Sequence, residues 1–395
     1  MTDAERVVVV GASMGGLRAA EQLRAAGWTG AITVVGDEPH MPYNRPPLSK
    51  DVLAGEVSHA AVAFRLRASC ADVDWRLGEA AVGADLAGRR VRLAGGESLS
   101  YAGLVVATGL RPRRLNRPGP SAGRHVVRTL DDAHGLRAVL GPGRRVVVVG
   151  AGFIGCEVAA TARSLGAEVT VVAPEPEPMY RPLGADLGAA LRRRHLARGV
   201  CFELGHTVDH LTGEERVTGV VLDDGRTLPA DAVVEAVGSI PNTEWLAGNG
   251  LDLGDGVRCD ELLRVESWPD VVAVGDVARF VNPRYDDVPR RVEHWSIPTD
   301  SAKHAARTLA AHLAGTDCVA PAFAPLPTFW SDQYDERLQS YGAPGLGGAD
   351  IRLLEGDWDG DCAVGYHHAG TLVGVVALGG KAIALATKYR RELVG

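Results

Sequence analysis

Three features of the chain predict an α/β fold. Val7–Val10 is an unbroken run of four β-branched residues, followed by the glycine-rich turn Gly11-Ala12-Ser13-Met14-Gly15-Gly16, a helical pattern over Leu17–Ala26 and a second strand, Ile32–Val35. Val146–Val149 opens the same series: Gly150-Ala151-Gly152-Phe153-Ile154-Gly155, a helix running to Leu165, and a strand at Val169–Val172. Past residue 319 the chain turns to short extended runs and one terminal helical stretch. A strand that is apolar at every position is buried on both faces, as in a parallel sheet covered by helices. Strand, glycine turn, helix and strand make a βαβ unit. The predicted class is therefore α/β: two Rossmann-like dinucleotide-binding domains plus a mixed α+β C-terminal domain.

Each unit is followed by the same sequel. Arg89–Ala94, a Gly95-Gly96 turn and Ser98–Tyr101 read as a hairpin, then Leu104–Val106 runs into Ala107-Thr108-Gly109. Downstream, Val217–Leu222, an Asp224-Gly225 turn and Arg226–Leu228 read as a second hairpin, then Val233–Val234 runs into Ala236-Val237-Gly238. Diglycine and Asp-Gly turns between extended runs are hairpin signals. The first glycines lie 139 residues apart and the Ala-x-Gly triplets 129, so one layout is used twice. Val271–Val274 ends in Gly275-Asp276, Ala302–Leu313 is helical, and Pro321, Pro325 and Pro327 mark a linker. Ile351–Leu354, Cys362–His367 and Leu372–Ala377 read as antiparallel strands before the last helix. The expected domains are 1–112 with 245–318, an inserted 113–244, and 319–395.

Composition narrows the function. Of 395 residues, 46% are hydrophobic and 23% charged, which places the chain among globular proteins of two or three domains. The net charge of −7 argues against a nucleic-acid surface. No stretch approaches the roughly 20 apolar residues of a membrane span, and the polar Met1–Arg6 is unlike a signal peptide. Cys70, Cys156, Cys201, Cys259, Cys318 and Cys362 form no close pair, so a dithiol, a zinc site and a disulfide frame are not expected and a cytoplasmic location is. His206 with His210, and His367 with His368, lack a third ligand, so no metal site is predicted.

The glycine turns carry the chemistry. A parallel strand entering a helix through G-x-G-x-x-G presents backbone N–H groups and the helix dipole to a pyrophosphate. The second turn has all three glycines, Gly150, Gly152 and Gly155; the first has Ser13 at the second position, with Gly15 and Gly16 adding room. Asp37 and Glu38 lie past the second strand, where a carboxylate accepts ribose hydroxyls. Two such sites in one chain point to one tightly held and one exchangeable cofactor, FAD with NADH or NADPH, and to hydride transfer that needs no protein nucleophile.

Pro42-Tyr43-Asn44-Arg45-Pro46-Pro47-Leu48-Ser49-Lys50, Ala107-Thr108-Gly109, Gly275-Asp276-Val277-Ala278, Glu293-His294-Trp295 and Phe329-Trp330-Ser331-Asp332-Gln333 occur in that order. The whole chain thereby resembles the putidaredoxin reductase-like family of FAD-dependent ferredoxin reductases, which feed cytochrome P450s and Rieske oxygenases. The resemblance implies an FAD site formed by Gly11, Ser13, Gly15, Gly16, Asp37, Glu38, Arg45, Lys50, Val82, Ala107, Thr108, Gly109, Arg128, Asp276 and Trp295. Lys50 would lie near flavin N5, Arg128 on the FAD phosphates and Asp276 on a ribityl hydroxyl. Gly150, Gly152, Phe153, Ile154, Gly155, Glu157, Glu175 and Gly238 would serve the nicotinamide nucleotide. Lys50, Glu157 and Trp330 are the implied catalytic residues. As plainer roles, Asp276 caps a following helix, and Trp295 and Trp330 are core aromatics. The strand-end acid that binds a 2′-OH is replaced by Ala173, and no arginine stands there for a 2′-phosphate, so NADH and NADPH both stay open. Ile297 and Ser301 stand where relatives tend to carry amides.

A flavin accepts two electrons and releases them singly, which suits a small [2Fe–2S] ferredoxin. Such partners are acidic, and Arg65, Arg290, Arg291 and Lys303 are the candidate docking residues; Arg192-Arg193-Arg194 reads as a solvated helix face. Other acceptors (rubredoxin, a quinone, O₂) and a non-enzymatic flavin-binding signalling role like that of apoptosis-inducing factor are the alternative readings.

Overall fold

The computed structural model describes residues 6–55 and 57–393; most of the polar N-terminal stretch, residues 1–5, lies outside them. The chain divides into two compact units. The first takes residues up to 44, 62–111 and 240–327; the second takes 45–61, 112–239 and the segment from 328 onward.

In the first unit the all-valine run becomes the strand Arg6–Val10, in a six-stranded sheet with spatial order Arg264–Val265, Trp268–Ala273, Gly103–Val106, Arg6–Val10, Ala31–Gly36, Asp74–Leu77. Every pairing is parallel except the first, and Val9 faces Val34 on one side and Val105 on the other. The helix Met14–Ala25 follows the glycine turn, and Ile297–Leu313 covers the same sheet. The hairpin expected at 89–101 is present, but a third strand, Ala81–Asp85, joins it. Asp276 does not cap a helix, because the turn Gly275–Val277 leads into the strand Ala278–Val281.

The second unit repeats the plan. Arg145–Val149 lies between Glu168–Ala173 and Ala232–Glu235, all parallel, with Val148 opposite Val171 and Val234. Cys201–Leu204 and Arg124–His125 complete five strands. The expected hairpin again gains a strand, Val208–Thr212.

The C-terminal segment of this unit is a five-stranded antiparallel sheet ordered Thr328–Gln333, Glu336–Gly342, Thr371–Gly379, Cys362–His368, Ile351–Gly356. The three predicted strands are present, and two more precede them. Phe329, Leu338, Tyr366 and Leu378 pack against Cys156, Leu187 and Leu191, so the sheet shares a core with the helices Phe153–Ser164 and Ala185–Ala197. That packing changes the reading of Arg192–Arg194 as a solvated face. Arg192 pairs with Glu177 at 2.7 Å, and Arg194 with Glu336 at 2.6 Å while donating to the carbonyls of Trp358 and Gly360.

One buried ion pair holds the second unit's entry segment. Glu235, its side chain fully buried, accepts from Arg124 Nε at 2.5 Å and from the backbone N–H of Leu115, and Arg124 donates onward to the Leu115 carbonyl. Without Arg124, the cation left to Glu235 is the half-exposed Arg114, 3.6 Å away, and a buried carboxylate that loses its close partner costs about 3 kcal/mol. Arg124→Met is therefore expected to lower unfolding free energy by about that amount in urea titration; a variant within about 0.5 kcal/mol of the parent would show the pair to be dispensable.

Candidate active site

The two glycine turns are built alike. Gly11 has φ of +120° and Gly150 of +106°, and a Cβ on either would fall 2.1 Å from the Ala107 carbonyl oxygen or 2.2 Å from that of Ala236. A Cβ on Gly16 would stand 1.9 Å from the Gly11 oxygen, and one on Gly155 2.0 Å from the Gly150 oxygen. These contacts draw each helix down onto its own turn, and only glycine permits them. Gly16, rather than Gly15, is thus the counterpart of Gly155; a Cβ on Gly15 would make ordinary contacts of 3.6 Å or more. The carbonyls approached belong to the Ala-x-Gly triplets, so the four repeated motifs of the sequence are two interlocked pairs.

Both turns fit a pyrophosphate. A helix begins with N–H groups that have no intrahelical partner, and neither Met14–Ala25 nor Phe153–Ser164 has an acid in its first turn. Space around Gly152 is open, with no atom within 4 Å of a built Cβ. The helix Leu130–Arg137 contrasts with them: Thr129 and Asp132 close a full capping box at its start.

Around the first turn, Tyr43 donates its hydroxyl to Glu38 at 2.5 Å, and Asp37 beside it is exposed. Thr108 Oγ1 donates to the Asn242 carbonyl at 2.6 Å, and Asn242 returns its amide to the Thr108 carbonyl and its N–H to Gly109. Val82 is 47% exposed on the strand Ala81–Asp85. Trp295 stacks on Phe64, over which Arg18 lies. Ser301, one of the positions that departs from the family pattern, is fully buried and accepts from the Gly275 N–H at 2.9 Å, fixing the turn that carries Asp276.

In the second unit, Arg45 donates to the carbonyl of Arg128 at 2.5 Å. Phe153 packs edge-on against Phe329, and Ile154 is 44% exposed at the helix start. Gly238 takes φ of +97°. Glu175 is paired with Arg181 at 2.8 Å, a cation six residues on that lies off the strand end where the sequence pattern looks for it. Glu157 is the centre of this unit's polar chemistry. Its carboxylate is 4% exposed and receives Lys50 Nζ at 2.6 Å, Ser49 Oγ at 2.5 Å and Ser331 Oγ at 2.7 Å. Lys50 stands at the junction of the 3₁₀ turn Pro46–Ser49 and the helix Asp51–Ala54 and also donates to the Pro46 carbonyl. Thr161 pins the Ser49 carbonyl at 2.8 Å. Lys50 and Glu157 are thus brought together. Trp330 is not part of that group: it lies on the opposite face of its strand from Ser331, near Arg337. Ser49 and Ser331, which bond Glu157, and Gln333, which bonds Ser331, lie within the stretches Pro42–Lys50 and Phe329–Gln333, but their residue types alone carry no signal of these contacts.

The six cysteines are free thiols, and burial pushes Cys156 up to about 12. Among the described residues one His/Asp group, His206 with Asp223 and Asp224, gathers its ligand atoms within 4.8 Å. Arg226 already occupies it, bonded to His206 and Asp224, while His210 pairs with Asp209.

Two matched nucleotide-type turns on two parallel sheets define the class, a protein built for two dinucleotides. The pyridine nucleotide-disulphide oxidoreductase pattern matches residues 5–302, and a reductase C-terminal pattern matches 328–391. A probable ferredoxin reductase, CtmF, of Castellaniella defragrans is 40% identical over 89% of this chain and 85% of its own length. The ferredoxin–NAD(+) reductase component of the anthranilate 1,2-dioxygenase system of Burkholderia cepacia is 38% identical over 87% and 83%. Among solved structures, putidaredoxin reductase in its covalent complex with putidaredoxin superposes with a TM-score of 0.88 at 32% identity, covering 98% of this chain and 92% of the other. The chain belongs to the pyridine nucleotide-disulphide oxidoreductase family, among its ferredoxin reductases. It is an oxidoreductase whose cofactors are FAD and NADH.

His294, in the Glu-His-Trp stretch, is lowered to about 4 by burial. Its folded value lies below its unfolded one, so the unfolded chain takes up the proton first and stability is lost as pH falls from about 6.5 to about 4. By pH 5 the loss attributable to this imidazole is about 2 kcal/mol. His294→Phe is expected to shrink the difference in urea midpoint between pH 7 and pH 5 accordingly; an unchanged difference would assign the acid lability elsewhere.

Proposed function

We propose that the chain is an NADH:ferredoxin oxidoreductase that takes a hydride from NADH and passes electrons singly to a small [2Fe–2S] ferredoxin serving a P450 or Rieske oxygenase. Residues 1–112 with 245–318 carry FAD, 113–244 the nicotinamide nucleotide, and 319–395 form the C-terminal domain. The observation that carries the reading is the duplicated turn, Gly11–Gly16 and Gly150–Gly155, each with the close carbonyl approach of a pyrophosphate site. Relatives named as ferredoxin reductase components of oxygenase systems support the acceptor.

FAD, when bound, supplies the exchange between two-electron and one-electron chemistry. The chain's residues bind and orient. The first turn takes the FAD pyrophosphate with Asp37 on the ribose, and Val82, Arg45, Arg128, Asp276 and Trp295 complete that site. The second turn takes the nicotinamide nucleotide, with Glu175 at its ribose. Lys50 offers a positive charge toward flavin N5, and Glu157 holds that ammonium in one place. Trp330 serves from the opposite face of its strand, apart from that pair.

The test is anaerobic mixing of the holoenzyme with NADH, which should bleach the flavin band within one turnover. Addition of a [2Fe–2S] ferredoxin should then restore it in one-electron steps. Bleaching by NADH with no reoxidation by any ferredoxin would overturn the acceptor.

Of the four candidate docking cations, Arg290 is paired with Asp286, and Arg291 is largely buried between Asp255 and Glu293. Arg65 and Lys303 are exposed and carry the docking role. Lys303→Glu should raise the KM for ferredoxin roughly tenfold at low salt and leave the NADH parameters alone. A change confined to the NADH parameters would remove Lys303 from the ferredoxin surface.

A further inference from the structure

A row of buried polar side chains leads away from Glu157 inside the second unit, through residues that the proposed reaction does not use. Ser331 Oγ lies 2.7 Å from Glu157 Oε1, Gln333 Nε2 3.0 Å from Ser331 Oγ, His195 Nε2 2.8 Å from Gln333 Oε1, and Tyr334 Oη 3.1 Å from His195 Nδ1. Ser331 and His195 are 1% exposed and Gln333 6%. Buried polar groups left without partners cost free energy, and each of these has one.

Every proton in the row has a defined place. An ionised carboxylate only accepts, so the single hydroxyl proton of Ser331 goes to Glu157. Ser331 Oγ then accepts from the Gln333 amide nitrogen. That choice turns the amide oxygen toward His195, whose Nε2 must carry a hydrogen. Burial holds the His195 imidazole below its usual pKa, so Nδ1 accepts from the Tyr334 hydroxyl. All four donors point the same way and end on one oxygen of Glu157. Aligned hydrogen bonds polarise one another.

We infer that His195, acting through Gln333 and Ser331, is a positioning residue for the Glu157–Lys50 pair: it fixes the sense of the Gln333 amide and so keeps the Ser331 proton on Glu157. The inference rests on the reading of Lys50 and Glu157 as working residues. Without the His195 donor, Gln333 is free to turn over and offer its oxygen to Ser331. The hydroxyl proton then leaves Glu157, which keeps only Ser49 and Lys50. No glutamine can relay a proton through its amide in one step, so the row positions and does not conduct.

The charged and titratable groups around the row are few. Glu157 faces Lys50 from the Pro46–Ala54 segment and has Cys156 beside it on its own helix. His195 has Arg198 just past the end of its own helix and Glu336 and Tyr334 from the hairpin, with Arg198 stacked over the Tyr334 ring at 4.5 Å and Arg163 also acting on Tyr334.

Two side chains of similar size separate positioning from packing. Gln at 195 places an N–H close to where Nε2 stands, and Leu fills the space without one. On the FAD-loaded protein mixed with NADH, His195→Leu should slow flavin reduction about tenfold, and His195→Gln should recover most of the rate. Leu leaves the Gln333 oxygen and the Tyr334 hydroxyl without their His195 partner and should lower thermal stability as well, so the rates are compared at a temperature where both variants are fully folded. Two-bond ¹H–¹⁵N correlation on the parent holoenzyme should show His195 neutral with its proton on Nε2. A proton on Nδ1, normal reduction in the fully folded Leu variant, or a Gln variant as slow as the Leu variant would overturn the inference. Glu157→Gln is the control: if it is slow while His195→Leu is normal, only the positioning role falls; if it is itself unaffected, the reading of the pair falls and takes this inference with it.

Discussion

The contact between a helix's first turn and the carbonyl of the glycine that opens the turn before it is the constraint on which both halves of this protein rest. A single methyl group at Gly16 or Gly155 would overlap that carbonyl at about 2 Å. The missing Cβ lets each helix start directly above its sheet, so its N–H groups and its dipole face the end of the central strand. The Ala-x-Gly carbonyls complete the arrangement, since Gly11 and Gly150 can sit against Ala107 and Ala236 only at positive φ. One steric solution, used twice, fits a protein that handles two dinucleotides.

A second constraint is electrostatic. Glu157 is nearly removed from water, and a buried carboxylate persists only when charge and hydrogen bonds replace its hydration. Lys50, Ser49 and Ser331 do so. Glu235 meets the same demand with Arg124. The two acids differ in their company: Glu235 ties down an entry segment, while Glu157 leads into a row of oriented dipoles ending at His195 and Tyr334.

How much of this was legible varies with how local the cause is. The valine runs and glycine turns lie within a few residues of one another, and both βαβ units follow from them. The strands Ala81–Asp85 and Val208–Thr212 are less legible, because each is an irregular partner whose pairing slips register. Thr328–Gln333 hides its alternation in another way. Its inward positions are Phe329, Ser331 and Gln333, and two of the three are polar because they serve Glu157. A search for alternating apolar residues passes over such a strand. Arg192–Arg194 misleads for the converse reason: three adjacent charges look solvated until a loop supplies Glu177 for Arg192 and the C-terminal segment supplies Glu336 and two carbonyls for Arg194.

The sequence by itself determined the repeated strand–turn–helix units, the family and the pairing of a flavin with a nicotinamide nucleotide, since these depend on short-range steric rules and on motifs read in order. Only the tertiary structure decided that Ser301 holds the Gly275 turn and that Glu157 is met by a serine 174 residues further on. Those are contacts between distant segments. Their energies come from desolvation and hydrogen-bond direction, and both are defined once the surrounding core has closed.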